Sequence, residues 1–298
     1  MCALPFKATQ PQNRAPAGAF KADRLARPSM RLPLNPIHTP LPIPFTVRYF
    51  IRLSYDGAAY HGWQVQPNAL SVQEALQQAL TTLLQKPIPI VGAGRTDTAV
   101  NAHFMMAHFD HEAELPTRQL TYRLNKILPP DIAVQRIMHV TPEAHARFSA
   151  TARTYHYHIY QTKNPFYRRY ATLITTPLDF KRMNEAAELL LNTTDFTSFS
   201  KLHTDAKTNI CQVTQACWTE VEPGLWRFTI TANRFLRNMV RAIVGTLIEV
   251  GRGKIDMEEF QAIISRKDRQ QAGQSMPGHA LSLVDIRYPA EIFLDSDE

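Results

Sequence analysis

The sequence contains few cysteines, and they do not follow the spacing of a metal site. Cys2, Cys211 and Cys217 are odd in number and match no zinc-ligand pattern. A disulfide framework and a structural zinc site are therefore both disfavoured. We expect the three thiols to be reduced and the protein to be cytoplasmic.

The chain also lacks a long apolar run and a metalloprotease-type histidine pattern. No stretch approaches the roughly 18 consecutive apolar residues that a membrane-spanning helix needs. We therefore expect no association with a membrane. No HExxH pattern occurs, and we expect no bound metal ion.

The net charge of +7 is concentrated near the N terminus. Residues 1–44 hold six basic side chains and one acidic side chain, together with nine of the 21 prolines. The rest of the chain carries 27 basic and 25 acidic side chains, so its bulk charge says little about a polyanionic partner. The segment 1–45 shows no helical or strand periodicity. We interpret it as a disordered basic tail or as sequence upstream of the true start, with Met30 as one internal alternative.

The segment Gly92–Thr98 places a carboxylate, Asp97, on a glycine-rich loop beside a fixed cation, Arg95. A neighbouring arginine keeps a carboxylate ionised at neutral pH, and a permanently charged carboxylate suits a nucleophile better than a general acid. Taken alone, an Asp in such a loop is more often a turn former or a helix N-cap. Phosphate binding is unfavoured because no Gly-Lys-Ser/Thr follows, and a dinucleotide fingerprint fails because its third glycine is missing.

Hydrophobic periodicity predicts the elements around this loop. Ser71 and Glu74 form a capping box for a helix that ends before Pro87, and Ile88–Val91 reads as a strand that leads into the loop. Alternation predicts further strands, and 3.6-residue periodicity predicts further helices. The strands are 47–53, 104–109, 132–140, 154–160, 213–221, 226–231 and 281–288, and the helices are 117–125, 179–191, 235–250 and one that starts at Asp256.

Strands and helices mixed with hairpin-like connections predict an α+β fold. We expect two similar halves with mainly antiparallel sheet and flanking helices, and an active cleft between the halves. The predicted boundaries are 46–150 for the half that contains the Asp97 loop, 151–290 for the other half, and 291–298 for an acidic tail.

Two sets of residues are candidates for the cleft. Arg234, Arg237 and Arg241 recur at spacings of three and four on the predicted helix, so they share one face. Arginines beside an apolar stripe usually form a solvated flank, but such a face could also bind phosphates or a carboxylate through bidentate contacts. In the strand 154–160, tyrosines either pack a core or supply a ring on which a base stacks. These tyrosines are Tyr155, Tyr157 and Tyr160.

Several spaced motifs occur in order between about Tyr49 and Tyr288. They are Tyr55–Gln66, Gly94–Asp97, Leu124–Ile132, Ala146–Tyr155, Asp195–Phe199 and Phe235–Gly245. Together they resemble the TruA-type tRNA pseudouridine synthases. The resemblance covers nearly all of the chain outside the predicted tail, and chance recurrence of so many ordered motifs is negligible.

The resemblance implies the pseudouridine synthase fold and isomerisation of uridine to pseudouridine at positions 38 to 40 of the tRNA anticodon stem-loop, by a homodimer without a cofactor. By motif position, Asp97 would be the catalytic aspartate, Tyr155 the ring against the target base, and Arg95 and Arg241 the cations near the carboxylate. Asp97 would attack C1′ or take the 2′ proton to give a glycal, and the sequence does not choose between these routes. Tyr155 would replace the stacking partner of the flipped uridine and assist removal of its C5 proton.

The same resemblance makes tRNA the expected partner. Binding through shape and phosphate contacts should weaken as salt rises. Three scattered histidines are interpreted as surface or RNA-facing residues rather than metal ligands: His156, His158 and His203.

The chain departs from the family pattern directly after the aspartate. Where the family usually has Ala-Gly-Val-His, this chain reads Thr98-Ala99-Val100-Asn101. If the glycine position needs a positive φ, Ala99 imposes strain of roughly 1–2 kcal/mol. A displacement of Asp97 by about 1 Å can slow a reaction about a hundredfold. These departures motivate a second hypothesis, a catalytically impaired paralogue that acts as an RNA-binding or tRNA-chaperone protein.

Overall fold

The computed structural model describes residues 46–201 and 207–294. The predicted tail 1–45, His203 and residues 295–298 lie outside these residues. Within the described part of the chain, no helix is both long and apolar enough to span a membrane.

Alternating hydrophobic residues build a nine-stranded sheet from the described residues. The strands are β1 (Val47–Tyr55), β2 (Val91–Gly92), β3 (Asn101–His111), β4 (Ile132–Val140), β5 (Ala152–Tyr160), β6 (Thr172–Leu173), β7 (Val213–Glu222), β8 (Leu225–Ala232) and β9 (Leu281–Arg287). The main order is β4–β1–β3–β9–β5–β8–β7, and the short strands β2 and β6 pair with β3 and β5. Neighbours along the main order are antiparallel except for β3 and β9, which are parallel.

Five α-helices flank this sheet in the described residues. They are α1 (Val72–Leu84), α2 (Thr117–Ile127), α3 (Phe180–Glu188), α4 (Met239–Gly251) and α5 (Met257–Arg266). The side chains of Ser71, Asp179 and Asp256 each accept a hydrogen bond from a backbone N–H of the first turn, which fixes the start of α1, α3 and α5. The predicted fold class, α+β with mainly antiparallel sheet, is confirmed.

Helix α4 and strand β2 begin later in the chain than the sequence suggested. Helix α4 begins at Met239 rather than at Phe235, because Asn238 has a left-handed backbone with φ +67°. The predicted strand 88–91 is reduced to its last residue and Gly92, since Pro89 has no N–H to donate to a ladder.

Strand β9 joins the two sides of the sheet. It pairs in parallel with β3 through residues 101–102 and 282–283, and it pairs antiparallel with β5. The chain then returns to β4, where Phe293 forms a bridge with Val140. Strand β9 and the segment after it therefore contact strands of both predicted halves.

Each side of the sheet has its own buried core. Tyr155 is partly buried and packs against both cores, so it lies where the two sides meet. The first core includes Tyr49, Ile51 and Leu76, and the second includes Tyr157, Phe228 and Val244.

Candidate active site

The loop that carries Asp97 leaves β2 at Gly92 and enters β3 at Asn101. The Val100 N–H donates to the Asp97 carbonyl oxygen at 3.1 Å, which closes a tight turn directly after the aspartate. Within this turn Ala99 has a φ of +62°. The position that usually holds glycine in the motif does require a left-handed backbone, so the strain predicted for Ala99 is present.

Two glycines allow other backbone segments to approach this loop closely. A Cβ added at Gly62, whose φ is +94°, would lie 2.2 Å from the Thr96 carbonyl oxygen. A Cβ added at Gly57 would lie 2.2 Å from the Val100 carbonyl oxygen. No larger residue fits at either position without displacing the backbone of the loop. The motif stretch 55–66 thus forms a close-packed support behind Asp97.

Hydrogen bonds from the same stretch fix the loop on both sides of the aspartate. The hydroxyls of Tyr55 and Thr96 are 2.9 Å apart, and the Trp63 N–H donates to the Thr96 carbonyl oxygen at 3.3 Å. On the other side, the Ala99 N–H donates to the Tyr60 carbonyl oxygen at 3.2 Å. A backbone held in this way gives Asp97 a defined position.

Two arginines that follow β8 contact the Asp97 carboxylate. Arg241 Nη1 lies 3.1 Å from Asp97 Oδ2, and Arg237 Nε lies 3.9 Å from Asp97 Oδ1. The Arg241 side chain is 22% exposed and that of Arg237 is 55% exposed, so the Arg241 pair is less screened by solvent. The side chain of Arg95, on the same loop as Asp97, is exposed.

The position of Arg241 follows from the burial of its helix. All residues of α4 are buried except Arg241 and Glu249. The Arg241 Nε donates to the Met276 carbonyl oxygen, and the Met276 N–H donates to the Arg241 carbonyl oxygen at 3.1 Å. One edge of the guanidinium is therefore held by backbone while Nη1 faces Asp97. This double contact uses the planar fork of arginine.

Arg237 and Arg234 precede α4 instead of lying on it. The predicted helical face of three arginines is therefore wrong, because the left-handed Asn238 interrupts the helix. Arg237 still reaches Asp97, since the chain turns before α4 begins. The sequence spacing therefore picked out two arginines that do contact Asp97, although they do not lie on one helical face.

Tyr155 stands beside the Asp97 site on β5. Its ring packs edge-on against Phe235, with a centroid distance of 5.1 Å. Burial raises the pKa of Tyr155 to about 12, while the nearby charges of Arg153 and Asp97 act in opposite directions. The phenol is therefore protonated at neutral pH.

The neighbouring tyrosines and histidines of β5 have other surroundings. Tyr157 is fully buried, and its hydroxyl donates to the Pro277 carbonyl oxygen at 3.1 Å, so it is a core residue. Tyr160 is also buried. Burial lowers the pKa of His156 and of His158 to about 4, so both rings are neutral at pH 7 and add no positive charge for phosphates.

Comparison with known proteins adds the identity of the fold. A protein named tRNA pseudouridine synthase A from Bacteroides thetaiotaomicron is 57% identical over 248 residues, which cover 83% of this chain and 92% of that protein. The protein of the same name from Bacteroides fragilis is 57% identical over 247 residues, or 83% of this chain and 98% of that one. The chain belongs to the tRNA pseudouridine synthase family. A further member, from Bacillus subtilis, is 41% identical over 240 residues, covering 79% of this chain and 97% of its own.

The tRNA pseudouridine synthase family model matches residues 186–289. This range contains Arg237, Arg241 and β9, but not the Asp97 loop. Members of the family that align over 79% or more of this chain extend well beyond that range.

Proposed function

We propose that this chain isomerises uridine to pseudouridine in tRNA and that Asp97 is its catalytic carboxylate. Membership of the tRNA pseudouridine synthase family supports the reaction. The observation that carries the residue assignment is the ion pair between Asp97 and Arg241, 3.1 Å long, on a loop braced by hydrogen bonds on both sides.

The chemistry needs a charged carboxylate in a fixed position. The bond between uracil N1 and ribose C1′ breaks, the base turns, and C5 bonds to C1′, while a proton leaves C5 and N1 of the product carries a proton. Substrate and product contain the same atoms, so the reaction involves no net oxidation and no net transfer of a group from another molecule. Asp97 either attacks C1′ or takes the 2′ proton, and both roles require an ionised group. Arg241 and Arg237 supply the opposite charge.

Arg95 adds a third positive charge on the same loop, with its side chain exposed. We propose that it contributes to the field at the mouth of the site, where the phosphates of the substrate approach.

For Tyr155 we propose two linked roles. Its ring takes the place of a stacking partner when the uridine leaves the helix, and its oxygen relays the proton released from C5. Because burial raises the pKa of Tyr155 to about 12, its oxygen is protonated, so it accepts the C5 proton only as its own proton passes to solvent.

The substrate and assembly follow the family resemblance. We propose that the target is a uridine at positions 38 to 40 of the anticodon stem-loop, that the protein acts as a homodimer, and that it acts in the cytoplasm. Light scattering tests the dimer, and mapping of pseudouridine in tRNA from a deletion strain tests the positions.

A second candidate function is an RNA-binding paralogue with impaired turnover. The strained backbone at Ala99, two residues after the proposed catalytic group, is the observation that favours it. Both functions predict tRNA binding that weakens with salt, but only the first predicts turnover.

The deciding experiment measures tritium release from tRNA labelled at uridine C5. Wild type is expected to release tritium, and Asp97→Asn is expected to release none while retaining tRNA binding in a gel shift. Asp110→Asn is the matched control, because Asp110 also forms an ion pair with an arginine, Arg48, at 2.7 Å. If wild type releases no tritium from any tRNA with a uridine at positions 38 to 40, the proposed enzymatic function is refuted. Release that survives Asp97→Asn would refute the assignment of the carboxylate.

A further inference from the structure

Asn101 is a buried amide whose hydrogen-bonding groups connect distant parts of the fold. Its side-chain oxygen accepts from the Gly57 N–H at 2.8 Å, and its Nδ2 donates to the His279 carbonyl oxygen at 2.8 Å. Gly57 lies in the turn after β1, and His279 lies in the turn before β9. The residue is 5% exposed. One side chain therefore ties three chain segments together at the point where the Asp97 loop ends.

This amide lies two residues after the strained residue of the loop. Because Ala99 carries a Cβ, its conformational energy would fall if its φ rotated from +62° to a negative value. Such a rotation changes the direction of the chain between Asp97 and Asn101. The turn persists only if both of its ends are fixed by surrounding structure.

Strand pairing by itself gives only weak support to the end of the loop at Asn101. β3 and β9 pair through residues 101–102 and 282–283 alone. The pairing of β1 with β3 also shifts in register between Leu53 and Tyr55, opposite this point. Side-chain hydrogen bonds at the first residue of β3 therefore add to the hydrogen bond from the Ala99 N–H to the Tyr60 carbonyl oxygen in fixing this end of the turn.

We propose that Asn101 is a positioning residue for Asp97: its amide holds Ala99 in the left-handed conformation and so sets the place of the catalytic carboxylate. This inference rests on the proposed function of Asp97. The surroundings demand an amide, because they present one donor, the Gly57 N–H, and one acceptor, the His279 carbonyl oxygen. An ionised carboxylate of the same shape only accepts, so it would leave the His279 carbonyl oxygen without a donor.

The test compares single-turnover tritium release and tRNA affinity for Asn101→Asp, Asn101→Ala and the double variant Ala99→Gly/Asn101→Ala. Both single variants are expected to slow release by about 10- to 100-fold, because Asp97 is displaced. Their Kd for tRNA is expected to stay within about threefold of wild type. In the Ala99→Gly background, Asn101→Ala is expected to cost less than about threefold in rate, since glycine adopts a positive φ without support.

Asn184→Ala is the matched control. Asn184 makes the same pair of backbone contacts, accepting from the Trp218 N–H at 2.7 Å and donating to the Trp218 carbonyl oxygen at 3.2 Å, on α3. Asn184→Ala is expected to lower the Tm of the protein without slowing tritium release. A rate loss in Asn184→Ala equal to that in Asn101→Ala would mean that general destabilisation explains both, and would overturn the proposal.

Two further outcomes would overturn the proposal. One is a wild-type rate in both Asn101→Asp and Asn101→Ala. The other is a rate loss caused by Asn101→Ala that is equally large in the wild-type and in the Ala99→Gly background. If wild type itself releases no tritium, the proposed function fails, and amide hydrogen exchange then tests the positioning role by itself. Exchange in residues 97–101 is expected to be faster in Asn101→Ala than in Asn184→Ala. Equal exchange in the two variants would refute the role of Asn101.

Discussion

Ala99→Gly is expected to stabilise this protein, although most alanine-to-glycine changes destabilise. The left-handed backbone at Ala99, with φ +62°, costs a residue with a Cβ roughly 1–2 kcal/mol. Glycine removes that cost but adds about 0.4–1 kcal/mol of unfolded-chain entropy. Part of a methyl group, worth at most about 0.8 kcal/mol, also leaves a half-buried site. Taken at the middle of each range, these contributions leave a net gain of about 0.4 kcal/mol in the free energy of unfolding.

A matched alanine makes the measurement independent of the unfolded chain. Ala75 is also partly buried, but it lies within helix α1, where glycine is less favourable than alanine by about 1 kcal/mol. Because both substitutions change the unfolded chain alike, the difference between them reports the folded backbone. Urea denaturation should find Ala99→Gly more stable than Ala75→Gly by roughly 1–2 kcal/mol. Equal losses in the two variants would show that Ala99 carries no strain.

Three further predictions concern the site and its support. Tyr155→Phe keeps the ring and removes the oxygen, so tritium release should fall about 100-fold or more while tRNA binding is retained. Full turnover in this variant would show that Tyr155 acts only by stacking and takes no part in proton transfer. Arg241→Lys keeps the charge but cannot contact both the Met276 carbonyl oxygen and Asp97, so turnover should fall about tenfold or more; wild-type turnover would show that charge alone suffices. Burial lowers the pKa of His108 from 6.5 to about 4. The unfolded state therefore binds more protons between these values, and stability should fall as pH drops from about 6.5 towards 4. His108→Gln should flatten this part of the stability profile, and an unchanged slope in urea denaturation would contradict the assignment.

Much of the secondary structure could be predicted because local pattern and burial agree. Strand β4 has the predicted bounds, 132–140, and α1 starts at the predicted cap, Ser71. The start of α4 could not be predicted in this way. Phe235 and Leu236 continue the apolar pattern of the helix through a turn that is not helical, and the positive φ of Asn238 leaves no mark on periodicity.

The candidate site was predictable where a motif fixes a local backbone and unpredictable where distant segments meet. The glycine expected by the motif at position 99 predicted a positive φ, which Ala99 has. In contrast, the contact of Arg241 with Asp97 spans 144 residues, and those of Asn101 span 44 and 178 residues. The contact of Asn101 with the His279 carbonyl oxygen depends on the packing of β9 between β3 and β5, which no local pattern encodes.

The place of β9 has a consequence for the order of events during synthesis. β3 and β5 are neighbours of β9 and not of each other, and β9 follows both along the chain. A chain emerging from the ribosome can pair each side of the sheet separately, but it cannot bring Arg241 to Asp97 in this arrangement until β9 has emerged. Contacts over 178 residues also form slowly. A nascent chain that stops before Met276 would therefore be expected to lack a competent catalytic centre.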